Sequence, residues 1–199
     1  MRKFLNIGHP RSGTGFISKL FKEFGYDVGH EVLDKDGISS WIFAVEEDQL
    51  WGQVGINRKD YEFEHLVMNI RKPLDIISSV LYTENTVLDS YNLRAEYIDF
   101  GGLNDIEKAV KSVLEWYKII QWQGPELFIK VDDKPEDTLY YYLKYQLEEN
   151  IELSSQRLPT NINTRKHPKL NYEDIKDHCN NDLLIEYKLF CTFYGYSYS

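Results

Sequence analysis

The 199-residue chain is short of cysteine, of basic residues and of long apolar runs, and each shortage removes a class of explanation. Its two cysteines, Cys179 and Cys191, stand twelve residues apart with no CxxC and no zinc spacing. They are expected to be reduced, buried thiols rather than part of a disulfide framework. The five histidines, His9, His30, His65, His167 and His178, show no metal-ligand spacing, so no metal is expected. Basic residues number 23 against 32 acidic ones, a net charge of −9 with a pI near 5.1. That balance argues against a protein that coats nucleic acid, and any bound polyanion must meet a local basic pocket. No stretch approaches the ~20 consecutive apolar residues of a membrane span. Met1-Arg2-Lys3 leads straight into an apolar run without a leader pattern, so the expectation is a cytoplasmic chain with no membrane partner.

What is present is a core-forming composition, 42% apolar and 15% aromatic, over a length that suits one domain spanning residues 1–199. Phe4–Ile7 reads as a buried first strand. Phe16, Ile17, Leu20, Phe21 and Phe24 then recur at helical spacing, and Gly25 ends that helix. A second strand is expected within Tyr26–Val32, a third at His65–Ile70 and a fourth at Leu127–Val131. Helices are expected after Pro73, over Asp105–Gln121, over Lys134–Glu149 and over Asn181–Tyr194, with a long loop at 153–171. Strands alternating with helices predict an α/β fold, a three-layer domain resembling the P-loop type around a central, mainly parallel sheet. Ligands bind such sheets at the carboxyl ends of the strands.

Between the first strand and first helix lies Gly8-His9-Pro10-Arg11-Ser12-Gly13-Thr14-Gly15-Phe16. Gly8 and Gly13 have the spacing of a Walker A loop, yet Thr14-Gly15 stands where Lys-Ser or Lys-Thr belongs. A glycine-rich turn opening a helix still aims backbone N–H groups and the positive helix end at an anion. The cation here is Arg11, set earlier in the loop, and an enzyme working on a magnesium–nucleoside triphosphate is thereby disfavoured. The plain alternative is a tight glycine turn without a ligand.

Pro10-Arg11-Ser12-Gly13-Thr14 resembles the 5′-phosphosulfate loop of sulfotransferases that use 3′-phosphoadenosine-5′-phosphosulfate (PAPS), with Gly15 in place of a second Thr. Arg71-Lys72-Pro73 and Ser79, eight residues after Arg71, resemble that family's 3′-phosphate motif. The resemblance is strong only at residues 8–16 and 71–79, and its style is closest to the carbohydrate and tyrosyl-protein members. It implies that Arg11, Ser12, Gly13, Thr14, Gly15 and Phe16 hold the 5′-phosphosulfate, and that Arg71 and Ser79 hold the 3′-phosphate. Arg165 and Lys166 would close over the same phosphate from a late basic loop, the plain alternative being a solvated turn. The resemblance further implies a sulfuryl acceptor that is a small molecule or carbohydrate, and a carboxylate base near the second strand. Glu31 matches that place, and Arg11 would face the bridging oxygen where charge grows. His30 competes as base, because an ordinary imidazole is better matched to neutral pH. Residues 34–41 would line the acceptor side, with Trp41 either stacking on a sugar or buried in the core. Two further readings stay open: a P-loop small-molecule or nucleotide kinase, for which Asp132-Asp133 would have to hold magnesium, and a non-catalytic nucleotide-binding relative. The oligomeric state is not readable.

Overall fold

The computed structural model describes residues 1–45, 53, 55–84, 89–152 and 166–198. Five strands among the described residues form one sheet: β1 (Arg2–Ile7), β2 (Val28–His30), β3 (Gly37–Ser40), β4 (Phe63–Ile70) and β5 (Leu127–Lys130). Their order is β2-β3-β1-β4-β5, and every neighbouring pair is parallel. The expected α/β class around a parallel sheet is therefore what the chain adopts. Seven α-helices accompany it among the described residues: α1 (Thr14–Glu23), α2 (Pro73–Thr83), α3 (Asp89–Tyr97), α4 (Asp105–Trp122), α5 (Pro135–Tyr141), α6 (Tyr172–His178) and α7 (Asn181–Phe193). None of the helices is long and apolar enough to cross a membrane, among the described residues.

The chain divides into two compact units. The first comprises Met1–Arg71 with Ile120–Thr164 and carries the whole sheet. β1 is a central strand paired on both sides and is buried from Phe4 to Ile7, side chains of both faces included, which is why its sequence reads as an apolar run rather than an alternation. α1 lays Phe16, Ile17, Leu20 and Phe21 on that sheet, where they join Phe4, Val28, Val67 and Ile129. Leu139, Tyr142 and Leu143 complete the cluster. Each such side chain contributes about 1.5–3 kcal/mol of burial free energy.

Two elements of this unit differ from the sequence expectation. No strand was expected between Tyr26–Val32 and His65–Ile70, yet β3 inserts at Gly37–Ser40 between β1 and β2. Gly37 is required there: a Cβ would lie 1.8 Å from the Phe4 carbonyl oxygen. The helix expected over Lys134–Glu149 ends at Tyr141, and a π-type turn follows at Tyr142–Gln146. Leu147 N–H closes the widened turn on Tyr142 C=O at 3.1 Å, and Glu148 at φ 55° then reverses the chain.

The second unit, Lys72–Ile119 with Arg165–Ser199, is helical. Its helices are tied by caps and buried polar pairs. Asn104 Oδ1 accepts from Ile106 and Glu107 N–H, both at 3.0 Å, and Glu107 Oε2 accepts from Asn104 N–H at 3.1 Å. That reciprocal cap starts α4. The other oxygen of Glu107 accepts from Asn180, the residue that caps α7. Buried Arg94 pairs with Glu84 and donates to Ser112 Oγ at 2.8 Å, which joins α3 to α4 and to the end of α2.

Candidate functional site

The loop from Gly8 to Gly13 leaves the carboxyl end of β1 and delivers the chain into α1. Its hinge is Gly13, the N-cap of α1, whose φ of 100° puts it in the left-handed region. Ser12 is fully buried and turned inward: its N–H and hydroxyl both reach His9 C=O, at 2.8 and 2.7 Å. Asn69, on β4, donates to Ser12 C=O at 3.0 Å and to Ser12 Oγ at 2.9 Å. Asn6 Nδ2 bridges Asn69 Oδ1 (2.8 Å) and Ser39 Oγ (2.7 Å), and Ser39 in turn donates to Thr14 C=O at 2.7 Å. Three adjacent strands, β3, β1 and β4, thus fasten both ends of the loop through side chains that are wholly out of water. Buried polar groups of this kind are tolerable only because they are bonded to one another.

With its inner side fastened, the loop turns other groups to the helix end. Thr14 and Gly15 open α1, so their N–H groups have no carbonyl one turn back inside the helix. Phe16 and Ile17 N–H, by contrast, both bond to Gly13 C=O, at 2.9 and 3.1 Å. Phe16 carries its ring into the core with 5% exposure, so its contribution to the loop is packing. Arg11 is half-buried on the turn between His9 and Ser12.

β2 ends beside this loop. The His30 ring lies against the first turn of α1, where a Cβ on Gly15 would meet its Cε1, Nδ1 and Nε2 at 3.2, 3.3 and 3.4 Å. His30 Nε2 is 3.3 Å from Thr14 Oγ1 and 3.8 Å from Glu31 Oε1. Burial, followed by the positive charge of Lys19, pushes the His30 imidazole below its ordinary range. Glu31 sits at φ 54°, an uncommon conformation for a residue with a side chain. It is held there by its own N–H on Ser39 C=O (3.1 Å) and by Gln53 N–H on its C=O (2.9 Å). Its carboxylate is buried, with Ser40 Oγ donating to Oε2 at 2.6 Å and Trp41 N–H reaching Oε1 at 3.3 Å. Ser40 Oγ also accepts from Ile42 N–H at 3.1 Å, which points its own proton at Glu31.

Of the residues singled out from the sequence, Arg11, Ser12, Gly13, Thr14, Gly15, His30 and Glu31 come together in the first unit. Arg71 follows β4, the strand next to β1, at the same carboxyl edge. Ser79 lies buried in α2 of the second unit, and Lys166 is exposed there. Arg165 lies outside the described residues. Trp41 is buried at 5% exposure, which answers the question left open for it in favour of the core. Cys191 is buried and Cys179 only partly so, both as free thiols. Asp132 and Asp133 follow β5, with Asp133 N–H bonded to Lys130 C=O at 3.2 Å. No group of three metal-ligating side chains stands together among the described residues. Asn6 and Asn69 were not singled out, and Ser39 and Ser40 were named only within 34–41. The signal for the two asparagines was a polar residue just before the end of an apolar strand.

No family model matches the chain, and no curated protein or solved structure is measurably similar to it. The strand order β2-β3-β1-β4-β5 also differs from the 3-2-1-4-5-6 and 2-1-3-4-5 orders of dinucleotide- and flavin-binding sheets.

Proposed function

We propose that this chain is a PAPS-dependent sulfotransferase, moving the sulfuryl group to a hydroxyl or amine of a small-molecule or carbohydrate acceptor. The observation that carries the reading is the loop's place at the carboxyl edge of the sheet. Arg11, the Thr14 hydroxyl and the N–H groups that open α1 share the carboxyl edge of a parallel sheet with Arg71. In this reading the α1 end and Thr14 receive the 5′-phosphosulfate. Arg11 faces the oxygen bridging sulfur and phosphorus, where negative charge accumulates as that bond breaks. Arg71 offers a fork to the 3′-phosphate, a group that ATP lacks. The base is drawn from His30 and Glu31 at the end of β2. The scheme asks for positioning and electrostatics, and it places no demand on a metal. A cytoplasmic setting accords with the two free thiols.

Thermal shift with adenosine 3′,5′-bisphosphate against ATP–magnesium tests this reading. At one hundred times its dissociation constant the bisphosphate is expected to stabilise the protein by about 2.7 kcal/mol. Arg71→Ala is expected to lose most of that shift. Equal stabilisation by both nucleotides would sink the donor assignment and favour the kinase.

A further inference from the structure

The sequence alone favoured Glu31 as the proton acceptor; the geometry points to a different division of labour. We propose that His30 takes the acceptor's proton at Nδ1, that Glu31 orients the imidazole through Nε2, and that Ser40 holds Glu31 in place. The proposal rests on the sulfuryl-transfer reading and assigns the roles within that site.

Three observations carry it. The first is the chain of donors behind Glu31. Ile42 N–H bonds to Ser40 Oγ at 3.1 Å, the Ser40 hydroxyl donates to Glu31 Oε2 at 2.6 Å, and Glu31 Oε1 stands 3.8 Å from His30 Nε2. Both carboxylate oxygens are engaged, since Trp41 N–H reaches Oε1 at 3.3 Å. A carboxylate so enclosed is placed to steer a neighbour rather than to meet a substrate. The second is exposure. The Glu31 side chain is 9% exposed, whereas that of His30 is 37% exposed, so His30 is the member of the pair that a substrate can touch. The third is Gly15. The resemblance has a threonine there, but a Cβ would come within 3.2 Å of the His30 ring. The missing side chain is the space in which the imidazole lies, against the N–H groups that open α1.

The ring's two nitrogens are thereby distinguished. Nε2 faces Thr14 Oγ1 at 3.3 Å and Glu31 Oε1 at 3.8 Å, so a proton carried on Nε2 meets oxygen, and the proposal places the neutral ring's proton there. Nδ1 has no hydrogen-bond partner among the described residues, and its lone pair is the free one. Thr14, accepting from Nε2–H, keeps its own hydroxyl proton for the bound phosphosulfate. In the transfer step the acceptor oxygen forms a bond to sulfur and its proton passes to His30 Nδ1. The bond from sulfur to the bridging oxygen breaks, and its electron pair leaves on the 5′-phosphate of adenosine 3′,5′-bisphosphate. The imidazolium faces Glu31 and Lys19, and it returns its proton to water after the product departs.

The experiment joins a spectrum that needs no substrate to a transfer assay. Histidine-selective ¹⁵N NMR of the free protein is expected to show neutral His30 as the Nε2–H tautomer. Its titration midpoint should drop further in Glu31→Gln, because the carboxylate 3.8 Å from Nε2 is removed. An Nδ1–H tautomer, or a midpoint untouched by Glu31→Gln, overturns the proposal. With ³⁵S-labelled PAPS and a panel of phenols, sugars and amines, His30→Ala is expected to cut turnover about 10²–10⁴-fold, with added imidazole restoring part of it. Glu31→Gln and Ser40→Ala are expected to cut it less and to shift the rising limb of the pH profile. The reverse ranking, Glu31→Gln inactive and His30→Ala active, makes Glu31 the base and ends the proposal. Failure of the parent protein to bind the bisphosphate or to sulfate any acceptor counts against the sulfotransferase reading, while the tautomer and the Glu31→Gln shift decide the His30–Glu31 pair.

Discussion

The two edges of the sheet handle polarity in opposite ways. At the carboxyl edge Asn6, Ser12, Ser39 and Asn69 are fully buried, and they bond to one another beneath the loop. Toward the amino edge Lys3 pairs with Glu149 and His65 with Glu126, and those side chains keep 21–42% of their surface in water. Exposed pairs cost little to form and return little. Buried uncharged networks are costly to disrupt, because each lost partner orphans a group that water cannot reach. The amino edge clamps strand ends. The carboxyl edge places its stability-sensitive positions where they hold one loop still.

The sharpest way to break this contrast is Asn69→Ala. It removes two donors to Ser12 and one acceptor from Asn6, all in dry surroundings. The expected loss is about 2–3 kcal/mol, read as a lower urea midpoint at an unchanged slope. Under the proposed donor assignment, any thermal shift by adenosine 3′,5′-bisphosphate is expected to shrink as well. If the loss is no greater than that of an amino-edge pair, the buried network is not what holds the loop.

Gly15→Thr is expected to have the next largest effect. In an open helical turn, replacing glycine adds a few tenths of a kcal/mol of stability. Here the new Cβ would press on the His30 ring at 3.2–3.4 Å, and crowding of that kind costs about 1–3 kcal/mol. The sign of the change therefore reports whether the ring is there. Adding His30→Ala should recover most of the loss, with a coupling of about 0.5–3 kcal/mol in the double-mutant cycle. Additive effects would mean that the two residues do not touch.

The same contrast shows what a sequence discloses. β1, β4, β5 and α1 were legible because apolar side chains recur at the period of their element or fill a doubly paired strand. The turn between β1 and α1 was legible because glycines and hydroxyls stand between an apolar strand run and a helical stripe. β3 was not: Gly-Ile-Ser-Ser has one β-branched residue and no alternation, and only its neighbours on both sides make it a strand. The network was hidden for a related reason. Asn6 and Asn69 each sit inside an apolar run, one residue before its end, and read alone each is an exception to a strand. Read together, Asn6-Ile7 before Gly8 and Asn69-Ile70 before Arg71 are the same device at the ends of neighbouring strands. The His30–Glu31–Ser40 chain was half legible. Glu31 was singled out by its place, but the partners that enclose its carboxylate are Ser40 at the end of β3 and Trp41 just after it, and β3 had not been read as a strand.

The smallest effect is expected at the amino edge, from Glu149→Gln. Lys3 donates to the Glu149 carboxylate, and the Tyr26 hydroxyl supports it, which together hold that carboxyl below its usual range. A depressed folded-state value means that the pair stabilises the protein above the ordinary carboxylate range. That contribution is lost as pH falls through the folded-state value, where the native carboxylate finally takes up its proton. At neutral pH the substitution should therefore cost less than about 1 kcal/mol, since both side chains remain in contact with water and are screened by salt. The parent and variant curves should converge in acid and also in molar salt. Tyr26 gives a second reading, because its hydroxyl is raised first by burial and then by Glu149. Removing the charge should let Tyr26 ionise at a lower pH, visible in the ultraviolet absorbance of phenolate. A loss from Glu149→Gln that matches Asn69→Ala, and that salt leaves unchanged, would erase the distinction between the two edges.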